Sequence, residues 1–382
     1  GRRAERRVGC HQGTGGSDAG RGHAGLAKHL CGIVKAVDTT HPVTLAAAFP
    51  ELSAKLGFID AVDVAGYNYR ENLYAEHHQA FPDKPFLGSE NGHRLQDWRA
   101  VTDNDYISGQ FLWTGIDYLG EAHGWPIHGS SAGLLTLAGF EKPGYYRRQS
   151  FWSVEPMIHL TTIRKTDNCV TPWGETAADA YACEFAPSAE SWNYCAGEMV
   201  TVKCYTNLRS IELLLNNKRL GTFEKDPDKD CILTTVRFEP GTLTARSPEN
   251  DTTVSHSLYT AMAACQMNIQ EYTLNEKARD IIAGAVGYRN PVHQLEVTLL
   301  DGNGRRVYHD ATMLHVTVEN GTLLGLENGD LADVTEYTAD YRRAYRGQLM
   351  IYAADNEDTA ADTPLTVIVR GDLIRTQTLR IQ

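Results

Sequence analysis

Residues 62–90 read VDVAGYNYRENLYAEHHQAFPDKPFLGSE. The apolar run Val62-Asp63-Val64-Ala65-Gly66-Tyr67 is followed by a helix-length segment near 71–80. A second short apolar run, Pro85-Phe86-Leu87-Gly88-Ser89-Glu90, comes next. Strand, helix, strand at this spacing reads as a βα unit on a parallel sheet, whose strands are buried on both faces and so lose strict alternation. The pattern extends both ways. Upstream lie Val43-Thr44-Leu45-Ala46, a short helix at 51–58, and a stripe of Leu26, Leu30, Ile33, Val34 and Val37 at helical spacing. Downstream is Gly109-Gln110-Phe111-Leu112-Trp113-Thr114. Four short strands are therefore predicted, and chemistry-bearing residues stand where they run out: Asn68 and Tyr69, Ser89 and Glu90, Trp113 and Asp117. In a (β/α)8 barrel those strand ends form the catalytic face, but a whole barrel takes about 250 residues. This pattern stops near Trp152, so its four strands make half a barrel.

Beyond Trp152 the texture is all-β. Residues 199–205 and 211–215 alternate, and Asn216-Asn217 turns into Lys218-Arg219-Leu220-Gly221. A second alternating set starts at Leu295 and turns through Asp301-Gly302-Asn303-Gly304. It continues at 316–318 and 349–352 and closes at 365–369. Two β-sandwich modules of about 100 residues each are expected. The predicted fold class is therefore multidomain, α/β followed by all-β. Its segments are a leader at 1–23 unable to join a core, a half-barrel at 24–157, and sandwiches at 158–264 and 265–382.

The chain has 382 residues, 42% hydrophobic and 22% charged, with a formal net charge of −12. An acidic surface argues against a nucleic-acid partner and is compatible with a neutral substrate such as a sugar. No apolar run reaches the ~20 residues of a membrane span, so no membrane partner is expected. A soluble protein follows, cytoplasmic or periplasmic in a bacterial setting. The eight cysteines show no metal-ligand spacing and read mainly as small buried hydrophobes, with a disulfide among Cys183, Cys195 and Cys204 left open. Sequons stand at Asn250 and Asn320 and would matter only in a secretory pathway.

Four blocks in order, DVAGYNYRENLY, PFLGSENG, GQFLWTGIDYLGEAHGWP and GFEKPGYYRRQSFW, resemble the second half of the barrel of glycoside hydrolase family 2. SWNYCAGEMVTVKCYTNLRSIELLLNNKRLG is similar to the immunoglobulin-like module that follows the barrel in many β-galactosidases of that family. LEVTLLDGNGRRV with LLGLENGD looks like their terminal module. The resemblance covers about residues 25–382. It implies a retaining β-galactosidase in which Glu90, after the seventh strand, is the nucleophile. Such an enzyme needs two carboxyl groups ~5–5.5 Å apart, one attacking and one protonating the leaving oxygen. The nucleophile must stay ionised, and Tyr69 is placed to donate a hydrogen bond to it. By the same resemblance Trp113 stacks on the sugar, while Asn68, Asp117, Glu121 and His123 contact its hydroxyls. His159 and Lys142 match common family positions and are assigned to packing and connection. No cofactor is called for and no metal ligand is named. The partner is a β-galactoside or related carbohydrate, and the complete enzyme is left free to oligomerise.

The family's acid/base glutamate follows an asparagine in a segment resembling WSIGNE. Here Asn-Glu occurs only as Asn275-Glu276 and Asn356-Glu357, both in the β region. The helix that would follow that glutamate corresponds to 24–37, so the acid/base residue, the first half of the barrel and the N-terminal domains are expected to be absent, leaving the isolated chain inactive or weak. Two other readings stay open. One is a non-catalytic carbohydrate-binding or interaction remnant, which Trp173 or Trp192 on an open sheet face would favour, although Trp192 is assigned to a domain junction. The other is a family 2 enzyme for a glucuronide or mannoside. Glucuronidases read the substrate carboxylate with an Asn-x-Lys motif in the barrel, whereas Asn216-Asn217-Lys218 lies in the β region.

Overall fold

The computed structural model describes residues 16–164, 188–248, 254–272, 291–356 and 363–381. The chain parts into two units, one running through Trp113 and the other starting at Thr114.

In the first unit, helix α1 spans Gly16–Val37. It begins eight residues before the predicted change at Ala24, because adding turns to a nucleated helix is far easier than starting one. Its stripe is not core: Leu26, Leu30 and Ile33 are about half exposed, at 53%, 52% and 51%, and Val37 is 89% exposed. Periodicity names the apolar face of a helix; only a packing partner buries it. The single helix expected at 51–58 is two, α2 (Pro50–Lys55) and α3 (Phe58–Ala61), parted by Gly57 in a left-handed conformation. There follow β1 (Ala65–Asn68), a 3-10 turn at Glu71–Leu73, α4 (Tyr74–Ala80), β2 (Phe86–Asn91), α5 (Leu95–Thr102) and β3 (Ile107–Leu112).

These strands form a parallel sheet in the order β1-β2-β3. The run at 43–46 reaches the open side of β1 only through isolated parallel bridges, Thr44 to Val64 and Ala47 to Tyr67. Gly66 permits this approach, since a Cβ there would lie 2.0 Å from the Leu45 carbonyl oxygen. The unit's core is aromatic, with the Tyr67 and Phe86 rings edge-to-face at 5.4 Å and the Tyr67 hydroxyl 2.6 Å from His77 Nδ1.

The second unit opens on an antiparallel hairpin, β4 (Tyr118–Gly124) and β5 (Ile127–Ser130), which the sequence does not announce. β4 is exposed along nearly its whole length, so no burial pressure imposes an alternating pattern. Helix α6 (Pro143–Trp152) follows, tied by an ion pair between Arg147 and Asp230.

Strands β6 (Ile158–Arg164), β7 (Met199–Thr206), β8 (Ser210–Leu215), β9 (Lys218–Glu224), β10 (Ile232–Arg237), β11 (Thr242–Arg246) and β12 (Ser255–Tyr259) form two antiparallel sheets, β10-β7-β6 and β12-β11-β8-β9. Inward residues of both, among them Leu160, Val200, Val202, Leu213 and Leu243, share one core. Trp192 belongs to that core with no exposed surface, against the Phe238 and Tyr194 rings, and its indole N–H donates to Glu239 O. It lies neither at a domain junction nor on an open face; a large aromatic filling the space between two sheets gains more burial there than at a seam. Trp173 and Cys183 lie outside the described residues, and Cys195 and Cys204 are free thiols. Asn216 and Asn217 take the positive φ values, 52° and 64°, of a two-residue hairpin turn between β8 and β9.

The last strands are β13 (Gln266–Glu271), β14 (Val292–Leu300), β15 (Met313–Glu319), β16 (Gly321–Glu327), β17 (Tyr341–Arg343), β18 (Gln348–Asp355), β19 (Leu365–Gly371) and β20 (Ile374–Ile381). They make two further antiparallel sheets, β13-β14-β18-β16 and β17-β15-β19-β20, around a separate core. Alternate residues Leu295, Val297 and Leu299 point inward, as period two requires. Among the described residues no helix is long and apolar enough to cross a membrane.

One titration follows from this packing. His256 on β12 accepts the Leu160 N–H at Nδ1 (3.1 Å) and lies 4.5 Å from the His159 ring. Burial, followed by the repulsion of His159 and opposed by Glu190, pushes His256 down to about 4. The folded state thus keeps it neutral while an unfolded chain takes up a proton below ~6.5. The stability it contributes is complete above that pH and is lost as pH falls towards 4, up to about 3 kcal/mol. In His256→Asn, which retains a side-chain acceptor, the decline of melting temperature between those pH values is expected to flatten. An unchanged decline would assign it to other groups.

Candidate active site

Strands β1, β2 and β3 run parallel, so their C-terminal ends share one edge of the sheet, where α/β sheets place their ligands. Asn68 ends β1 and is the register partner of Glu90 on β2; the register shifts just before it, between Tyr67 and Asn68. Tyr69 follows in the left-handed region at φ 53°, and its N–H donates to the Glu90 carbonyl oxygen at 2.8 Å. A bulky aromatic in that region is a strained conformer that the surrounding structure must impose, and such strain gathers at functional sites. Ser89 Oγ donates to Asn68 Oδ1 at 2.8 Å and so holds the amide at this edge. Trp113 follows β3 directly, its N–H donating to Asn91 O at 3.0 Å while His93 Nε2 lies 2.8 Å from its carbonyl oxygen.

Gly88 is required below Glu90. A Cβ there would fall 1.8 Å from the Asn91 side-chain oxygen, and the buried Asn91 amide in turn lies against the Tyr74 hydroxyl. The first unit therefore brings together Asn68, Tyr69, Glu90 and Trp113, four of the residues singled out from sequence. Ser89, also at a predicted strand end, holds Asn68, and the structure adds His93 beside Trp113 and Glu71 just after Tyr69. Burial pushes the Glu71 carboxyl upward, with Asp97 adding to the shift and Arg94 opposing it. No sequence signal set Glu71 apart from other helix-start glutamates.

Asp117, Glu121 and His123 belong to the second unit. Asp117 is buried, and its Oδ1 accepts both the Gly133 N–H (2.8 Å) and the Lys142 ammonium (2.7 Å), which also donates to Ser131 O. Burial pushes the Asp117 carboxyl up and the Lys142 ammonium down, and their mutual attraction opposes both shifts. Lys142 thus anchors Asp117 rather than only joining elements. Glu121, at φ 48° on β4, accepts the Tyr118 hydroxyl. His123 is exposed on the same strand. His159 Nε2 lies 2.9 Å from a Glu190 carboxylate oxygen and its ring stacks on Tyr146 at 3.5 Å, so it is a packing residue of the second unit.

Residues 289–379 match the model of the Glycoside hydrolase family 2 C-terminal domain 5, and residues 197–255 match a Domain of unknown function (DUF4982). Beta-galactosidase BoGH2A of Bacteroides ovatus is 26% identical over 91% of this chain and 42% of its own length. A putative beta-glucuronidase of Formosa agariphila is 25% identical over 72% of this chain and 24% of its own length. The crystal structure of a glycosyl hydrolase family 2 member from Bacteroides cellulosilyticus superposes with a TM-score of 0.80 at 23% identity, covering 94% of this chain and 47% of that one. The chain thus spans less than half the length of these relatives. Residues 289–379 thus carry a C-terminal domain of glycoside hydrolase family 2, and over most of its length the chain is similar to the C-terminal portion of proteins of that family.

Proposed function

We propose that the complete protein removes terminal β-D-galactosyl residues by retaining double displacement with Glu90 as nucleophile. The observation that carries this is the edge of the parallel sheet: Glu90 stands between Asn68 and Trp113, and the strained Tyr69 is bonded to its backbone. Residues 24–157 are the C-terminal half of a (β/α)8 barrel and the two modules beyond are immunoglobulin-like. Tyr69 holds the nucleophile ionised, Trp113 stacks on the pyranose, and Asn68, Asp117, Glu121 and His123 contact hydroxyls. The acid/base glutamate is contributed by sequence not contained in this chain, and the chain alone is impaired. Galactose is preferred as the sugar because a β-galactosidase is among the relatives.

A glucuronidase reading draws on the second relative. Of the chain's two Asn-x-Lys stretches, Asn216-Asn217-Lys218 forms the β8–β9 hairpin turn and Asn275-Glu276-Lys277 lies outside the described residues, so neither falls in the proposed half-barrel. A non-catalytic binding module loses the support of Trp192, which has no exposed face. Nitrophenyl β-galactoside, β-glucuronide and β-mannoside, offered to a protein that includes the family's N-terminal portion, test the choice. The galactoside is expected to be cleaved at least tenfold faster in kcat/KM, about 1.4 kcal/mol of transition-state preference. Faster cleavage of the glucuronide would replace the galactoside reading.

A further inference from the structure

The second unit contains a cavity of about 320 Å³ whose walls come from the β4–β5 hairpin, the loop around Ser131 and Lys142, and the loop at Gly329–Ala332 of the last module. The walls are closed on each other. The His128 N–H donates to Leu331 O at 3.0 Å, and His128 Nε2 lies 3.3 Å from the Tyr337 hydroxyl. Glycines allow the contact: a Cβ on Gly129 would lie 2.9 Å from Leu331, and one on Gly329 would lie 2.8 Å from Thr136.

The lining is chemically mixed. Lys142 spends two of its three N–H groups on Asp117 and Ser131. Asp117 spends Oδ1, and Asp330 uses Oδ1 to accept the Ala332 N–H at 3.0 Å, so each carboxylate keeps Oδ2 for a ligand. Arg346 enters from a left-handed backbone position at φ 53°, its guanidinium 5.2 Å from the Tyr345 ring and 5.8 Å from the Tyr308 ring. Leu331 and Ile127 supply apolar wall. Two cations and two carboxylates balance, so a charged ligand would meet a like charge on whichever side it faced. A polyhydroxyl ring meets donors and acceptors together, because each hydroxyl is both. The volume lies at the small end of ligand sites, ~300–1,000 Å³, which fits one ring rather than a chain.

We propose that this cavity is a subsite for a single neutral sugar ring, held by Arg346, Lys142 and Asp330 with Asp117 positioning Lys142, so that the last module reads part of the carbohydrate. The proposal rests on the glycosidase reading for its ligand class only. Methyl β-galactoside, methyl β-glucoside, methyl β-xyloside and methyl β-galacturonide are titrated calorimetrically into the full chain and into the Arg346→Gln, Asp330→Asn and Glu90→Gln variants, with melting temperatures as the check on folding. Asp330→Asn keeps the Oδ1 acceptor that shapes the loop and remains informative if Arg346→Gln unfolds. At least one neutral glycoside is expected to bind saturably. Arg346→Gln and Asp330→Asn should each weaken it roughly 10- to 100-fold, the loss of a charge-assisted hydrogen bond, while Glu90→Gln leaves it within about twofold. Absence of saturable binding by any neutral glycoside overturns the proposal. Tighter binding of the galacturonide does so too, as does binding abolished by Glu90→Gln and untouched by both cavity variants. If Glu90 proves not to be the nucleophile, turnover fails its own test while these affinities stand.

Discussion

Glu90→Gln is expected to reduce cleavage of a nitrophenyl β-galactoside to background, a loss on the order of 10⁴-fold or more, as for removal of a catalytic nucleophile. The substitution keeps the side chain's shape and removes the charge that, in the proposed mechanism, attacks the anomeric carbon. The backbone arrangement around it, with Tyr69 N–H on the Glu90 carbonyl oxygen and Gly88 under the Asn91 amide, does not depend on the carboxylate. Folding should therefore survive, and an unchanged melting temperature with lost turnover separates chemistry from stability. Steady-state rates of the two proteins on the aryl substrate decide it. Retention of activity within tenfold would remove Glu90 from the mechanism.

The second large effect concerns the leaving group. Protonation of the departing oxygen is worth ~10²–10⁴-fold. A nitrophenolate leaves without it; the glucose of lactose does not. The chain alone is expected to hydrolyse lactose negligibly and to show whatever turnover it has on the aryl galactoside. Adding the family's N-terminal portion, in cis or in trans, should restore lactose hydrolysis by a factor within that range or above it, since positioning improves as well. Side-by-side rates on lactose and nitrophenyl β-galactoside, with and without the added portion, measure this. Efficient lactose hydrolysis by the chain alone would mean that a second acid is at hand. Glu71, whose carboxyl burial pushes upward, would be the first residue to replace.

The parallel sheet was legible because its strands are buried on both faces and so appear as short apolar runs, and because the residues that end them are polar. Alternation marked the later modules equally well: Leu295, Val297 and Leu299 are inward where period two places them. The β4–β5 hairpin was not legible, since a strand open to solvent carries no alternating constraint. Nor could periodicity tell that the α1 stripe stays open, for it records which residues share a face and not what lies opposite. Trp192 illustrates a different limit. A tryptophan in a β-rich segment suits a junction, a platform or a core, and only the packing of Phe238 and Tyr194 against it decides. The Asp117–Lys142 pair and the cavity lined by Asp330 and Arg346 join residues distant in sequence, and no local spacing encodes such a meeting.

The central claim, that Glu90 forms the covalent glycosyl bond, is tested most directly by trapping. An activated 2-deoxy-2-fluoro-β-galactoside with a dinitrophenolate leaving group needs no acid for the first step, and without a base the ester has no means of rapid hydrolysis. The chain incubated with this reagent is digested, and the modified peptide is sequenced by mass spectrometry. One fluorogalactosyl adduct is expected, on Glu90, and none on Glu90→Gln. An adduct on any other carboxylate, or release of dinitrophenolate by the chain with Glu90 unmodified, would contradict it.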